Sequence, residues 1–206
     1  MKRIIYKLAV SAALLSACVT AVAQPKTVRP VNIKGEGVLD QNARVAISTN
    51  VADYVYLLTP NADLQVAIGR QVTLQGGFKY NNWSWNYATE TEMKNRQQTY
   101  WFGARYWFWY TYSGWYASLA AQWQEYDRGG LFRKDAEAGQ AYGLVASGGY
   151  AMQINRWFNI DFGLGIWGGT TAYTLYACPY CGKKLEEGRK FFVLPNEVRL
   201  ALQFIF

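Results

Sequence analysis

Histidine is absent from all 206 residues of the sequence. This absence excludes hydrolysis by a Ser-His-Asp triad, proteolysis by a Cys-His pair and metal sites built on imidazole. A mechanism based on paired carboxylates stays open, with Asp161 and Glu197 as candidates. A buried ion pair with Arg105 or Arg199 explains the same carboxylates without catalysis. We therefore predict that the protein is not an enzyme.

Cysteine is scarce, with three residues: Cys18, Cys178 and Cys181. The letters Cys178-Pro179-Tyr180-Cys181 match the active-site tetrapeptide of glutaredoxins. That chemistry requires the first Cys at a helix N-terminus early in a βαβ domain, whereas this motif lies late in the chain, between strand-like segments. A structural zinc site requires four ligands, which this chain cannot supply alone. We predict no metal and no cofactor, and a local disulfide between Cys178 and Cys181.

Long apolar runs are also lacking, because no segment reaches the ~20 residues of a membrane-spanning helix. The start of the chain has a basic head, a short apolar stretch and the small residues Ala21-Val22-Ala23. This pattern predicts a signal peptide over residues 1–23 and an exported protein. Alternatively, Leu15-Ser16-Ala17-Cys18 resembles a lipobox, in which Cys18 would be lipidated. Residues 24–42 are rich in Pro, Lys and Gly and indicate a periplasmic leader.

The chain is rich in aromatic residues, which make up 17% of it, and it ends on a strictly alternating segment. Every second residue is apolar from Val198 to Phe206, which is typical of a β-strand with one apolar face. A terminal strand ending on an aromatic residue resembles the signal by which bacterial outer-membrane barrels are recognised. We therefore expect Phe204 and Phe206 to serve as an insertion signal for the outer-membrane assembly machinery.

Alternation of this kind recurs through residues 43–206 and predicts eight strands, the first over residues 43–57. Tight turns are expected near Arg70, Ser113 and Asn155, and longer polar loops over 81–96, 128–138 and 175–190. An even number of strands with short turns at one end and long loops at the other is typical of a transmembrane β-barrel. We predict an eight-stranded, up-and-down, antiparallel barrel in the outer membrane of a Gram-negative-type bacterium. A soluble periplasmic ligand-binding β-barrel is the alternative.

The polar face of the strands carries charge, which we expect to form an ion-pair network in the lumen through Lys79, Arg105, Asp161, Glu197 and Arg199. At eight strands the interior is just wide enough to be filled by side chains, so we expect a plugged lumen. The net charge of +7 is scattered along the chain. On an exported protein it suggests contact with membrane lipid and with the phosphates of lipopolysaccharide rather than with nucleic acid.

Several short motifs together resemble the family known as domain of unknown function 3575. They are Thr49-Asn50 with Asp53, Thr59-Pro60-Asn61, Tyr80-Asn81 with Trp83, Arg105-Tyr106-Trp107, Cys178-x-x-Cys181-Gly182 and the closing Phe. The resemblance covers about Val45 to Phe206 and implies a small outer-membrane barrel. The chain departs from the family at Gly103-Ala104, where an acidic residue is expected before the Arg-Tyr-Trp motif.

The resemblance also implies partners, since some members of the family are encoded beside fimbrial-type genes. We expect a structural or interaction role in which the outer loops contact an envelope or fimbrial partner protein. A small channel is the alternative, and a lipid-modifying barrel is a third hypothesis.

Overall fold

The structure is a computed structural model that describes residues 44–55, 58–86, 92–130, 135–179 and 182–206. The predicted signal peptide, the predicted leader and Cys18 lie outside the described residues, as does Cys181. Within the described parts, no helix is both long enough and apolar enough to cross a membrane.

The described residues form eight antiparallel strands that close into a barrel, each strand pairing with its neighbours in sequence and the last with the first. The strands are β1 Val45–Asn50, β2 Asn61–Ala67, β3 Val72–Trp85, β4 Met93–Trp107, β5 Gly114–Gly129, β6 Ala136–Asn155, β7 Phe158–Tyr176 and β8 Lys184–Ile205. The part of the chain that the structure describes has one short helix, α1, which spans Val51–Val55 and follows β1 directly. The prediction of an eight-stranded, up-and-down barrel is confirmed.

The alternation in sequence becomes a polar interior and an apolar exterior. On β3, Thr73 and Gln75 point inward and are buried, whereas Leu74 and Phe78 point outward and are exposed. The same arrangement holds on β5, where outward Trp115 and Leu119 alternate with inward Ser118 and other buried residues. Large apolar side chains therefore cover the outside of the barrel, and hydrogen-bonding groups fill its centre.

Several strand ends differ from the prediction. The first strand ends at Asn50, and α1 occupies Val51–Val55, which were expected to belong to the strand. The last two residues of the predicted strand, 56 and 57, lie outside the described residues. The loops are shorter than expected, because β3 continues to Trp85, β5 to Gly129 and β7 to Tyr176. β8 likewise begins at Lys184, so most of the residues predicted as its preceding loop are strand.

These extensions carry polar residues on both faces, which hides the alternation that identifies a strand in the sequence. Their backbones nevertheless pair in register, as in Asn81 with Gln97 and Thr174 with Glu187. Side chains add cross-strand bonds, since the hydroxyl of Tyr173 donates to Glu186 over 2.6 Å. Backbone pairing and cross-strand side-chain bonds therefore keep these segments in hairpins, although neither of their faces is apolar.

The barrel wall is uneven in height. β1 and β2 have 6 and 7 residues, whereas β3 to β8 have between 14 and 22. β1 pairs with β8 only from Ala46 to Asn50, opposite Ala201–Ile205. Tight turns follow β2 at residues 68–71 and β6 at residues 156–157, close to the predicted positions. The longer hairpins lie at the other end of the barrel, opposite these short turns and opposite the start of β1.

Candidate functional site

A network of buried ion pairs lies across the middle of the lumen. Asp161 on β7 accepts through one carboxylate oxygen from Arg105 on β4, at 2.8 Å, and from Arg199 on β8, at 2.7 Å. All three residues point inward on their strands, and Asp161 is fully buried. One carboxylate therefore ties together strands from opposite sides of the barrel.

Two further carboxylates complete the network through Arg199. Its guanidinium contacts Asp63 of β2 at 2.9 Å and Glu197 of β8 at 3.2 Å. The same guanidinium donates to the hydroxyl of Ser48 on β1 over 3.1 Å. The cluster therefore opposes two guanidinium groups to three carboxylates, a net charge of −1 if all are ionised.

The Arg105 guanidinium is also held by an aromatic ring. Its central carbon lies 3.9 Å from the centre of the Tyr116 ring, and its Nε donates to Gln75 over 3.1 Å. The Tyr116 hydroxyl lies over Gly149 and Gly163, where an added Cβ would come within 2.5 and 2.6 Å of it. The two glycines therefore make room for the ring against which the cation packs.

The turn between β4 and β5 closes the lumen at the end with the short turns. Tyr112, a turn residue with φ of 65°, folds inward and is buried. Its hydroxyl donates to the backbone carbonyl of Arg44 over 3.1 Å, and its ring packs against Trp107, with centroids 5.9 Å apart. Burial raises the pKa of the Tyr112 hydroxyl well above its ordinary value, so the group stays protonated and donates. Asn159 donates to the Tyr112 carbonyl from the side.

Lys79 lies apart from this network. Its ammonium pairs with Asp53 of α1 at 2.8 Å and lies 5.8 Å from the centre of the Trp101 ring. It therefore ties α1 to β3. The structure brings together four of the five charged residues expected in the lumen network, and it adds Asp63 as a further member.

Beside α1, where β1 ends, the side chain of Asn50 makes hydrogen bonds to the backbone of β8. Its amide donates to the carbonyl of Val198 over 3.1 Å and to Asp53 over 3.0 Å, and its carbonyl oxygen accepts from the backbone N–H of Leu200 over 2.8 Å. This side chain supplies to β8 the two bonds that a further residue of β1 would make. Asn61 in turn bonds the backbone of Asn50 on both its N–H and its C=O, at 2.6 and 2.9 Å.

We call Asn50, Asp53, Asn61 and Lys79 the α1 latch. Three of these residues belong to motifs shared with the family that the sequence resembles. Asn81, from another of those motifs, donates to Thr59 beside the latch over 2.7 Å. Three of the six motifs therefore meet at the α1 latch, although they are separated in the sequence.

Little open space remains in the lumen between the ion-pair network and the α1 latch. The cavity there has a volume of about 20 Å³ and is lined by polar residues that include Gln75, Lys79, Ser118, Gln122, Glu197 and Arg199. A volume of this size holds about one water molecule. At this level of the barrel, the described side chains therefore leave room for little more than one water molecule.

The rim at the long-hairpin end carries a second polar cluster centred on Glu137 of β6. Its carboxylate accepts from the Tyr126 hydroxyl over 2.7 Å and from the Lys190 ammonium over 2.9 Å. Burial disfavours the charged carboxylate, but these two partners outweigh it and hold the pKa of Glu137 below its ordinary value. Lys94 and Asp127 form another pair at this rim, at 2.8 Å.

The geometry gives the carboxylates structural partners. Asp161 and Glu197, the residues considered for paired-carboxylate catalysis, both bind the Arg199 guanidinium. Among the described residues, no group of three or more acidic or cysteine side chains is arranged to hold a metal ion. Arg105 finds its acidic partner across the lumen on β7 and not on its own strand, where this chain has Gly103-Ala104 before the Arg-Tyr-Trp motif.

The remaining site predictions concern the ends of the chain and the last hairpin. Phe204 and Phe206 both point outward at the short-turn end, and the Phe204 ring packs against Trp157 and Phe158. Their role as an insertion signal stays a prediction. The disulfide between Cys178 and Cys181 also stays a prediction, because Cys181 lies outside the described residues.

Asp63, Asn50 and Tyr112 were not identified from the sequence as site residues. Asp63 has the same signal as the others, since it alternates with outward Leu64 and Val66 on β2. Asn50 lies within a motif of the resembled family. Tyr112 carries no such signal, because a turn residue that folds back into the lumen has no periodicity to reveal it.

Comparison with known proteins gives one family. A family model described as protein of unknown function (DUF3575) matches residues 18–206, which is most of the chain. Neither the curated proteins nor the solved structures give a match.

Proposed function

This chain belongs to the family described as protein of unknown function (DUF3575), and on that premise we propose that it is a non-enzymatic outer-membrane barrel with a structural or interaction role. The observation that carries the proposal is the arrangement of the side chains, with ion pairs at the centre of the barrel and large apolar side chains on its exterior. In this proposal, the long hairpins face outward from the cell and meet an envelope or fimbrial partner. The short turns face the periplasm.

The distribution of outward-pointing aromatic residues supports the membrane placement. Trp109, Trp115 and Trp157 lie at the short-turn end, and Tyr100, Trp123 and Tyr142 form a row of paired positions nearer the long hairpins. Trp115 and Trp123 are eight positions apart, which is about 27 Å along the strand. At a tilt of about 40° this is a height of about 21 Å, close to the ~25 Å apolar band of outer-membrane barrels.

The closed wall and filled interior support the structural role. Lipid cannot hydrogen-bond to backbone groups, so a barrel in a membrane requires continuous pairing such as that between β1 and β8. The ion pairs and the inward Tyr112 occupy the space that a pore would need. The outer hairpins are then the surface available to other molecules.

The placement is tested by comparing unheated and boiled samples of washed outer membranes in SDS gels. A closed membrane barrel stays folded in cold SDS and shifts in mobility on boiling, which is the result we expect. Recovery in the soluble periplasmic fraction without a shift would contradict the proposal and favour a soluble barrel with a ligand.

The interaction role is tested on the last hairpin. Replacing residues 177–183 with a four-residue turn leaves β7 and β8 intact and removes the tip of the hairpin. We expect partner assembly in the envelope to be lost while the gel shift is retained. The matched control replaces the tip between β5 and β6. Unchanged assembly after both replacements would argue against outer hairpins as the contact surface.

An altered lipid profile in a deletion strain would instead favour the lipid-modifying hypothesis.

A further inference from the structure

The outer wall of the barrel carries an apolar groove along β7. Its sides are Tyr142 and Leu144 on β6 and Phe191 and Val193 on β8, and its volume is about 520 Å³. The floor is the outward face of β7 around Gly168 and Thr170. The groove therefore exists because small residues on one strand lie between large residues on both neighbours.

Gly168 determines the depth of the groove. A Cβ built at this residue would meet only Val193 at 3.6 Å and the backbone of Phe192 at 3.8 Å, which are ordinary contact distances. The wall therefore has room for a side chain at this position, and the space is instead open to the exterior. The groove runs for about 13 Å along the strands from Ala146 to Tyr142. This is comparable with the ~15 Å of hydrocarbon in one leaflet.

A cation stands at the outer end of the groove. Arg189 points outward on β8, paired with Ala172 and two residues beyond Phe191, which places it about 7 Å further along the strand. Its acidic neighbour Glu187 contacts Lys184 at 3.5 Å, and Lys190 pairs with Glu137 at the inner face. Among the described residues, Arg189 has no carboxylate within ion-pair distance. The groove therefore combines an apolar channel with an unneutralised guanidinium at one end.

We propose that this groove binds one acyl chain of lipopolysaccharide, with Arg189 contacting a phosphate of its lipid A. The inference rests on the proposed membrane placement, which puts the groove in the outer leaflet beside the outer aromatic row. A saturated chain fits a channel whose lining is mostly apolar, and a planar guanidinium binds phosphate through paired hydrogen bonds. A phospholipid offers the same chemistry, but in this orientation it belongs to the opposite leaflet.

The test uses native mass spectrometry of the full protein in detergent, with lipid A, phosphatidylglycerol or phosphatidylethanolamine added separately. We expect lipid A to be retained most strongly. Gly168→Leu fills the groove and should weaken retention about tenfold, because it occupies the volume of several methylenes. Arg189→Gln should weaken retention of lipid A about tenfold by removing a charged hydrogen bond.

Matched controls are Gly76→Leu and Lys184→Gln. Gly76 is an outward glycine on β3 whose added Cβ would also meet its neighbours at 3.5 Å, and Lys184 is an exposed cation beyond the groove. We expect neither to change lipid retention, and all four variants should keep the shift between unheated and boiled samples.

The outcomes separate this inference from the proposal on which it rests. A normal gel shift with equal retention of all three lipids, or with no effect of Gly168→Leu, overturns the groove and leaves the membrane barrel in place. Equal retention of phosphatidylglycerol and lipid A overturns the choice of lipopolysaccharide. A chain that is soluble and shows no shift overturns both.

Discussion

At the scale of single residues, Asp161 is the group on which the lumen depends. It neutralises Arg105 and Arg199 through one oxygen, and all three are almost completely buried. Removing one partner of a buried ion pair leaves a charge that neither water nor protein compensates. Without Asp161, Arg199 keeps Asp63 and Glu197 as partners. Arg105 keeps only the neutral Gln75 and the Tyr116 ring, so its buried charge loses its carboxylate.

We expect Asp161→Asn to lower the free energy of unfolding by about 3–5 kcal/mol, the usual cost of breaking a buried pair. The measurement is a urea titration of the refolded barrel in detergent, followed by tryptophan fluorescence. Glu186→Gln, at an exposed position of the last hairpin, is the control and should change little. Equal midpoints for wild type and Asp161→Asn would show that the network adds nothing to stability.

Glu137 gives a dependence on pH at the rim. Its pKa in the folded protein lies below the ordinary value of 4.5. Its contribution to stability is therefore fully present above the unfolded pKa and is lost as the pH falls through the folded pKa. We expect Glu137→Gln to lower the unfolding temperature at pH 7 and to match wild type in strong acid. A difference between the two proteins that does not change with pH would contradict this assignment.

How far the sequence reveals the lumen can be seen by comparing Arg199 with Lys79. The alternation of the strands places both on the inward face, and this part of the inference depends only on counting. Which carboxylate each one meets depends on how the strands are staggered around the barrel, and no local pattern specifies that. Lys79 pairs with Asp53 because Asp53 lies on α1, the helix that directly follows β1. The sequence did not predict this helix.

At the scale of elements, the α1 latch shortens β1 and β2 relative to the other strands. Its side chains nevertheless supply hydrogen-bond partners to the backbone of β8 where β1 ends. Asn50 supplies a donor to Val198 and an acceptor to Leu200, and Asn61 fixes the backbone of Asn50. Asn is suited to this position because its amide carries the same donor and acceptor as a peptide group.

Asn50→Ala should therefore lower the free energy of unfolding by about 1–3 kcal/mol, because backbone groups of β8 lose their partners. Hydrogen exchange should increase first at Leu200, whose N–H has lost its acceptor. Gln153→Ala, which removes one exposed side-chain bond near a turn, is the control. Unchanged exchange at Leu200 would show that another group satisfies its N–H.

The ends of the strands show where sequence reasoning stops. An apolar face reveals a strand only where one side of it lies against lipid or a core. Beyond Trp123 and Tyr142 both faces meet polar surroundings, so residues such as those of β8 from Lys184 to Lys190 resemble a loop in sequence. Their strand character comes from pairing with β7, which no single segment displays.

At the scale of the whole molecule, the filled lumen determines what can pass. Tyr112 closes one end, and the ion pairs cross the middle. We expect the wild-type barrel to show no steady conductance in planar bilayers, and the double variant Tyr112→Ala with Arg105→Ala to conduct small ions. Tyr110→Ala, an exposed residue of the same turn, is the control. Steady conductance by the wild type would favour the channel hypothesis instead.

The short β1 also divides the wall unequally. β8 pairs with β7 from Phe158 to Tyr176, but with β1 only from Ala46 to Asn50. β1 also pairs with β2 over only four residues, Val45 to Ser48. A sideways pull on the wall therefore loads few bonds on either side of β1 and many at every junction from β3 to β8. The wall is therefore mechanically weakest along β1, and under tension it opens beside this strand while β3 to β8 part later as a single curved sheet.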